Sequence, residues 1–410
     1  MNNIIDLLPK MIAGDDLTEA LTIMPEYDKG ICNQDKAIRL MALSDLYRVY
    51  LPSQMTIEIY SKLYLALIRS LKKKVTKTAV RQQNANRQAI LRQGYNGIIG
   101  GSDSFTIIGT SGIGKSSAIS RAVELITDNR IIETTEPYTK IIPCVIVQCP
   151  FDSSVKGLLL EILRKVDEHL ETKYYENALR ARATVDMMIG SVSQAALNHI
   201  GLLIVDEIQN VCNSKNGKSL VGMLTQLINN SGISICMVGT PESSYFFEQA
   251  MQLARRSLGL NYNTMKYDEY FRQFCEILFS YRYVQNESPL SDAVIEWLYE
   301  HSAGVISVVV SLVHDAQEIA ILNGKEILNS ETLNEAYRER LTHLHEFIQP
   351  AKSAKKYVKP GEKGIADKLP DNQDIIAEYT ISELVSQAKK EKSDIVCLLK
   401  KYMPVEEVSI

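Results

Sequence analysis

The chain has 410 residues, room for two or three domains and a sizeable core, and its 45% hydrophobic and 23% charged residues describe a soluble globular protein. No apolar run approaches the roughly 18 residues of a membrane span, so a membrane protein is excluded. The formal net charge of −4 means that any nucleic-acid binding must come from a local basic face.

The start, Met1-Asn-Asn-Ile-Ile-Asp, has no basic region followed by an apolar core, and a cytoplasmic location is expected. The 7 cysteines are scattered without a Cys-x-x-Cys pair, and Cys144, Cys149 and Cys236 sit in β-prone apolar runs, so neither disulfides nor zinc is indicated. Residues 1 to about 50 alternate short amphipathic pieces with turn residues such as Gly14-Asp15-Asp16 and Pro25, and no chemistry attaches to them. From Thr56 to Leu71, apolar residues at Ile59, Tyr60, Leu63, Tyr64, Leu67, Ile68 and Leu71 recur at three and four, which predicts a helix with one packed face. It runs into Lys72-Lys73-Lys74, Lys77, Arg81, Arg87 and Arg92, a solvated basic helix or linker in preference to a phosphate-contacting arm. Gly94, Gly97, Gly100 and Gly101 place a boundary near residue 95.

Phe105-Thr-Ile-Ile108 is β-prone, Ser117 to Ile126 has helical spacing, and between them Gly109-Thr110-Ser111-Gly112-Ile113-Gly114-Lys115-Ser116 fits the pattern of a glycine, four free positions, then Gly-Lys-Ser. Strand, loop and helix in that order form a phosphate cradle. The glycines turn the backbone so that its N–H groups, Ser117 at the helix start and the positive helix end face phosphate oxygens. Lys115 neutralises β- and γ-phosphates, and the Ser116 hydroxyl ligates magnesium. A glycine turn that merely joins strand to helix is the alternative, and a complete match in this context speaks against it.

Ile141 to Cys149 reads as a buried strand with an edge proline, and Val155 to Val166 as a helix capped from Asp152-Ser153-Ser154. Strands alternating with helices predict a parallel, helix-covered sheet. Asp167 to Arg182 interleaves Tyr174 and Tyr175 with Lys173, Arg180 and Arg182, a solvated helix in preference to a nucleic-acid surface. Leu202-Leu-Ile-Val-Asp206-Glu207 is a buried strand delivering two acids to the carboxyl edge of the sheet. Asp206 is assigned to the magnesium ion and Glu207 to polarising the attacking water. Ile233 to Val238 is a further strand ending in Gly239-Thr240-Pro241-Glu242, where Thr240 is either a polar contact to the γ-phosphate or lytic water, or part of a plain turn. Arg255-Arg256 follows on a probable helix, an arginine-finger pair or an exposed pair.

The phosphate loop, Asp206-Glu207, Gly239-Thr-Pro-Glu242, Arg255-Arg256 and the segment Leu298-Tyr-Glu-His-Ser-Ala-Gly-Val305 together resemble an AAA+ ATPase of the TnsC/TniB transposition-regulator family of Tn7-like transposons, over roughly residues 95 to 345. The resemblance implies an α/β P-loop core, a parallel sheet flanked by helices, with an α-helical lid. Its domains would be an N-terminal helical extension over 1–95, the ATPase core over 96–250, the lid over 251–346 and a linker with a partner-docking tail over 347–410. It implies ATP and Mg2+ as cofactors and binding of duplex DNA as a homo-oligomeric ring or helical filament. It further implies coupling of a target-selection factor to transposase subunits, with hydrolysis disassembling or remodelling the filament.

Residue by residue, Lys115 and Ser116 match the family's nucleotide-binding pair, Asp206 and Glu207 its magnesium and catalytic acids, Thr240 its sensor, and Arg255 or Arg256 its intersubunit finger. Lys156, Thr172 and Lys173 fall in the region that faces DNA. Many AAA+ lids carry an arginine after the glycine matching Gly304, whereas Val305-Ile306-Ser307 stand here, so the resemblance implies no arginine contact from that position to the γ-phosphate. Two other readings share the core motifs: a replication-initiator or helicase-loader ATPase, whose C-terminal helix-turn-helix is not found after residue 345, and a nucleotide-switched scaffold, against which Glu207 argues.

The lid is legible from its residues. Ser291 caps a helix through Trp297 and Tyr299, Gly304 breaks it, an apolar helix runs to about Leu322, and Ser330-Glu331 opens another reaching His345. His343 and His345, two apart, make a poor metal pair. Lys352 to Lys363, broken by Pro360 and Gly361, is a flexible linker ahead of Ile375 to Met403, whose short apolar clusters suit docking to a partner.

Overall fold

A computed structural model describes residues 4–74, 104–135, 138–213, 217–244 and 259–342, all within the first of two units, Met1–Tyr357. The basic stretch from Lys77 to Arg92, the arginine pair Arg255-Arg256, the histidines 343 and 345 and the linker and tail over 347–410 lie outside the described residues.

Six strands form the sheet: β1 Phe105–Gly109, β2 Ile132–Thr135, β3 Tyr138–Gln148, β4 Ile200–Asp206, β5 Ser234–Gly239 and β6 Leu260–Tyr262. Their order is β2-β3-β4-β5-β1-β6, with every neighbouring pair parallel except β2 and β3. Pro143 lies just past the β2 pairing, which ends at Ile132 opposite Ile141, so its missing N–H falls where β3 becomes an edge. Helices α1 Asp15–Leu21, α2 Lys36–Ala42 and α3 Gln54–Lys74 precede the sheet, and α4 Lys115–Thr127 leaves β1. Between β3 and β4 run α5 Val155–Leu170, α6 Tyr174–Arg180 and α7 Val185–His199, and α8 Gly217–Ser231 leads to β5. After β6 come α9 Glu269–Ser280, α10 Asp292–Ser302, α11 Ile306–Leu322 and α12 Ser330–Arg340.

Strand period decides which helices cover which face. Leu203 and Val205 of β4 and Ile235 and Met237 of β5 join a core with Leu158 and Ile162 of α5, Val192 of α7 and Leu224 of α8. Leu202 and Ile204, Cys236 and Val238, with Ile107 of β1, face the opposite way and meet Ile59, Leu63 and Leu67 of α3 and Ala118 and Ala122 of α4. An apolar run buried on both faces is what a central parallel strand requires, and the α/β core expected from the sequence is present. The apolar stripe of α3 therefore serves the sheet itself. Tyr174 and Tyr175 pack on the first core, so the helix expected there to be solvated buries part of its face.

A third core joins α9 to α12 with part of the N-terminal segment, Leu43, Leu46 and Val49. Arg39 of α2 clamps the two together. Its guanidinium, 1% exposed, donates to both oxygens of Glu326 at 2.6 and 2.8 Å and to the carbonyl of Tyr283 at 3.0 Å. Tyr27 Oη donates to the carbonyl of Arg282 at 2.6 Å, and Gln317 takes the N–H of Tyr283 and gives one to the carbonyl of Tyr281. Ser291 caps α10, whose end turns at Gly304 with φ of 72°. α12 opens at Ser330, as expected, and Asn329 caps it in a reciprocal box with Thr332. Among the described residues no single helix is long and apolar enough to cross a membrane; α10 and α11 approach that only as a pair bent by 120°.

Candidate functional site

The sheet order fixes where the side chains of the sequence motifs meet. From β1 the chain crosses to β3, returns through β4 and β5, and places β6 on the far side of β1, so a crevice opens at the carboxyl end of β1. The loop from Gly109 to Gly114 lies there. Gly112 and Gly114 have φ of 80° and 93°, in the left-handed region that disfavours a side chain, and Gly114 hands the backbone to α4. A Cβ on Gly112 would stand 2.5 Å from Ser307 Oγ, because the start of α11 is seated on the loop and Ser307 donates its N–H to the Gly112 carbonyl at 3.2 Å.

Lys115, the first residue of α4, is buried, and its ammonium donates to the carbonyls of Gly109 at 2.7 Å and Thr110 at 2.8 Å. Burial pulls its pKa below the ordinary lysine value, while Asp206, Glu207 and Glu242 push it back up. Ser116 Oγ donates to Asp206 Oδ2 at 2.7 Å, joining residues 90 apart in sequence. Asp206 Oδ1 accepts the N–H of Glu207 at 2.8 Å. Glu207 turns off the strand with φ of 57°, its carboxylate exposed at the sheet edge and hydrogen-bonded by the Gln209 amide. Thr240, at the end of β5, hydrogen-bonds Glu242 and holds that carboxyl below the usual range.

A cavity of about 240 Å³ separates the loop from these groups, lined by Lys115, Ser116, Asp206, Glu207, Gln209 and Thr240 among others. A larger one, about 680 Å³, adjoins it and shares Gly112, Gly114, Ser116, Ser117 and Ser307. Its walls are mostly apolar: Tyr50, Leu51 and Met55 from the N-terminal segment, Tyr270 and Phe274 of α9, and Ile306 of α11. A polar end with a cation and oxygens beside a roomy apolar end matches the two halves of a nucleotide. The hydroxyl of Ser116 and carboxylate of Asp206 are hard oxygen donors facing one another, which fits Mg2+ in type.

The structure thus brings together Gly109 to Ser117, Asp206, Glu207 and Thr240. It does not bring together Lys156, Thr172 and Lys173. Lys156 is exposed in the first turn of α5, on the edge that carries the acids, whereas Thr172 and Lys173 follow the other end of that helix, about 24 Å along its axis. The Thr172 hydroxyl is committed to Asp167 at 2.6 Å, which also takes the N–H groups of Tyr174 and Tyr175 and so shapes the turn into α6. Arg255 and Arg256 lie outside the described residues.

Sequence reasoning missed three contributors. The segment around Tyr47 to Thr56 walls the larger cavity, although no motif marks it. Gln209 touches Glu207, and Asn210 ties the same turn to the β3–α5 loop, donating to the Cys149 carbonyl at 2.9 Å while its own carbonyl accepts from Ser153 Oγ at 2.8 Å. The polar pair Gln209-Asn210, one residue after the acids, was the available signal.

Residues 101–264 match the family model described as bacterial TniB protein, so the resemblance implied by the sequence is borne out over that range. No curated protein sequence matches the chain. Among solved structures, the Aeropyrum pernix ORC1 protein in complex with DNA is similar at 16% identity and a TM-score of 0.43, covering 64% of this chain; the chain spans 64% of that protein's length. Cdc6p from Pyrobaculum aerophilum gives 10% and 0.42 over 74% and 76% of the two chains. Drosophila ORC bound to DNA gives 12% and 0.42 over 99% and 86%.

Proposed function

We propose that this chain is a AAA+ ATPase that regulates DNA transposition, binding ATP with Mg2+, assembling as a homo-oligomer on duplex DNA, and coupling a target-selection factor to transposase subunits. The observation that carries the ATPase part is the 2.7 Å contact of Ser116 with Asp206, beside the buried Lys115 and the exposed Glu207. The TniB match over residues 101–264 supports the transposition part.

In this reading the triphosphate lies along the loop from Gly109 to Gly114, and Lys115 leaves its two carbonyls for phosphate oxygens. Ser116 and Asp206 would hold Mg2+, which would supply charge neutralisation across the phosphates. Glu207 accepts a proton from water as it attacks the γ-phosphorus, the bond from that phosphorus to the β–γ bridging oxygen breaks and ADP leaves with its electron pair, and Thr240 holds that water or a γ-oxygen. Arg255 or Arg256 of a neighbouring copy completes the site. Lys156, on the edge that carries the acids, is the first DNA contact to test, with Thr172 and Lys173 at a separate position. The protein acts in the cytoplasm.

Negative-stain imaging with duplex DNA, comparing ATP, a slowly hydrolysed analogue and ADP, tests the reading together with Glu207→Gln. Rings or filaments appear only with the triphosphate and persist in the variant. A protein that remains monomeric and ignores duplex DNA in every nucleotide state overturns it in favour of a loader or a switch.

A further inference from the structure

Gln209 is placed oddly for a residue with only a structural task. Its amide N–H donates to Glu207 Oε2, yet its carbonyl oxygen, Oε1, is buried with no hydrogen-bond partner among the described residues. Buried polar atoms are nearly always paired, so a side chain kept for packing alone at this position would be apolar or fully satisfied. The end that is satisfied is the end on Glu207.

The space that Gln209 occupies is also specific. A Cβ on Gly239 would stand 3.1 Å from Gln209 Oε1, 2.7 Å from Ile208 Cγ2 and 2.9 Å from Ser243 Oγ. The amide therefore sits over the end of β5, between the acid pair of β4 and Thr240, and it lines the same cavity as Lys115 and Ser116. Glu207 has little else to fix it. It is exposed, stands on a left-handed backbone residue, and its carboxylate receives among the described residues no other hydrogen bond that would set its direction.

We propose that Gln209 is a positioning residue for ATP hydrolysis: its amide N–H fixes the direction in which the Glu207 carboxylate faces water, and Gly239 leaves room for it together with Ile208 and Ser243. The proposal rests on Glu207 being the general base. Gln209 touches neither phosphate nor water in this scheme and acts through Glu207 alone.

The test measures kcat and KM for Mg-ATP, with and without duplex DNA, in the full chain. Gln209→Leu lowers kcat about 10- to 100-fold and leaves KM within about 2-fold, since the nucleotide cradle is untouched. Gln209→Glu, the same shape without a donor, falls as far, and Gln209→His, which restores a donor, recovers part of the rate. On a Glu207→Gln background, Gln209→Leu causes no further loss, whereas a general structural defect would multiply the two losses. If Gln209→Leu does not fold, the isosteric Gln209→Glu carries the same comparison. A kcat within 2-fold of the parent in Gln209→Glu, alongside a Glu207→Gln protein that has lost hydrolysis, overturns the role of Gln209 alone. Hydrolysis that survives Glu207→Gln overturns the assignment of the base, and the positioning role with it.

Discussion

Two buried lysines show how the same side chain serves different ends according to what its ammonium meets. Lys115 lies against carbonyls beside a cavity, and the proposed function has it exchange them for phosphate oxygens. Replacing it with alanine removes a charge-assisted contact of about 1.5–3 kcal/mol, so ATP affinity measured by calorimetry falls about 10- to 100-fold while the fold is retained. Lys74 ends α3 with its ammonium buried on the carbonyls of Ala196 and Leu197, at 2.7 and 2.5 Å, where burial pulls its pKa down to about 7. In the unfolded chain the same group titrates near 10.5, so between about 7 and 10.5 the unfolded state holds more protons and stability rises with pH. Urea midpoints at pH 7.5 and 9.5 should show that rise in the parent and a flatter response in Lys74→Met.

At the scale of elements, what was legible in the sequence was what short-range chemistry dictates. The loop from Gly109, the acid pair ending β4, the stripe of α3 and the break at Gly304 each depend on neighbours a few residues away. The sheet edges were harder, since β2 and β6 are only 4 and 3 residues long and their pairing is long-range. The stripe Phe271, Phe274, Cys275 and Leu278 of α9 was present in the sequence but belongs to no motif. The walls contributed by Tyr47 to Thr56 were invisible because Arg39 holds that segment on the lid through Glu326, 287 residues away. Breaking this pair with Arg39→Ala leaves a carboxylate largely buried and is expected to cost about 3–5 kcal/mol in chemical denaturation. ATP binding weakens with it, as the cavity loses a wall. Arg39 holds the Glu326 carboxyl below its ordinary value, so the stability it adds is complete above the usual glutamate range and is lost as pH falls below it.

For the whole molecule, the separation of Lys156 from Lys173 along α5 has a measurable result. If DNA lies along the edge that carries the acids, Lys156→Ala reduces the slope of log affinity against log salt by about one, and Lys173→Ala leaves that slope unchanged. Equal effects from both would place DNA across both ends of the helix. The Asn210 hydrogen bonds to the β3–α5 loop give this surface a direct path to Glu207, only three residues away in chain. If duplex DNA accelerates ATP hydrolysis, Asn210→Ala reduces that acceleration more than it reduces the rate without DNA.

The larger cavity beside the phosphate loop has a bearing on chemical intervention. It is lined by Tyr47 to Thr56, α9 and the start of α11 as well as by the glycine loop and the first turns of α4. A small apolar compound filling those roughly 680 Å³ would compete with nucleotide without imitating phosphate. Its selectivity would be set by side chains outside the motif, so an inhibitor of this protein need not inhibit other enzymes that share the phosphate loop.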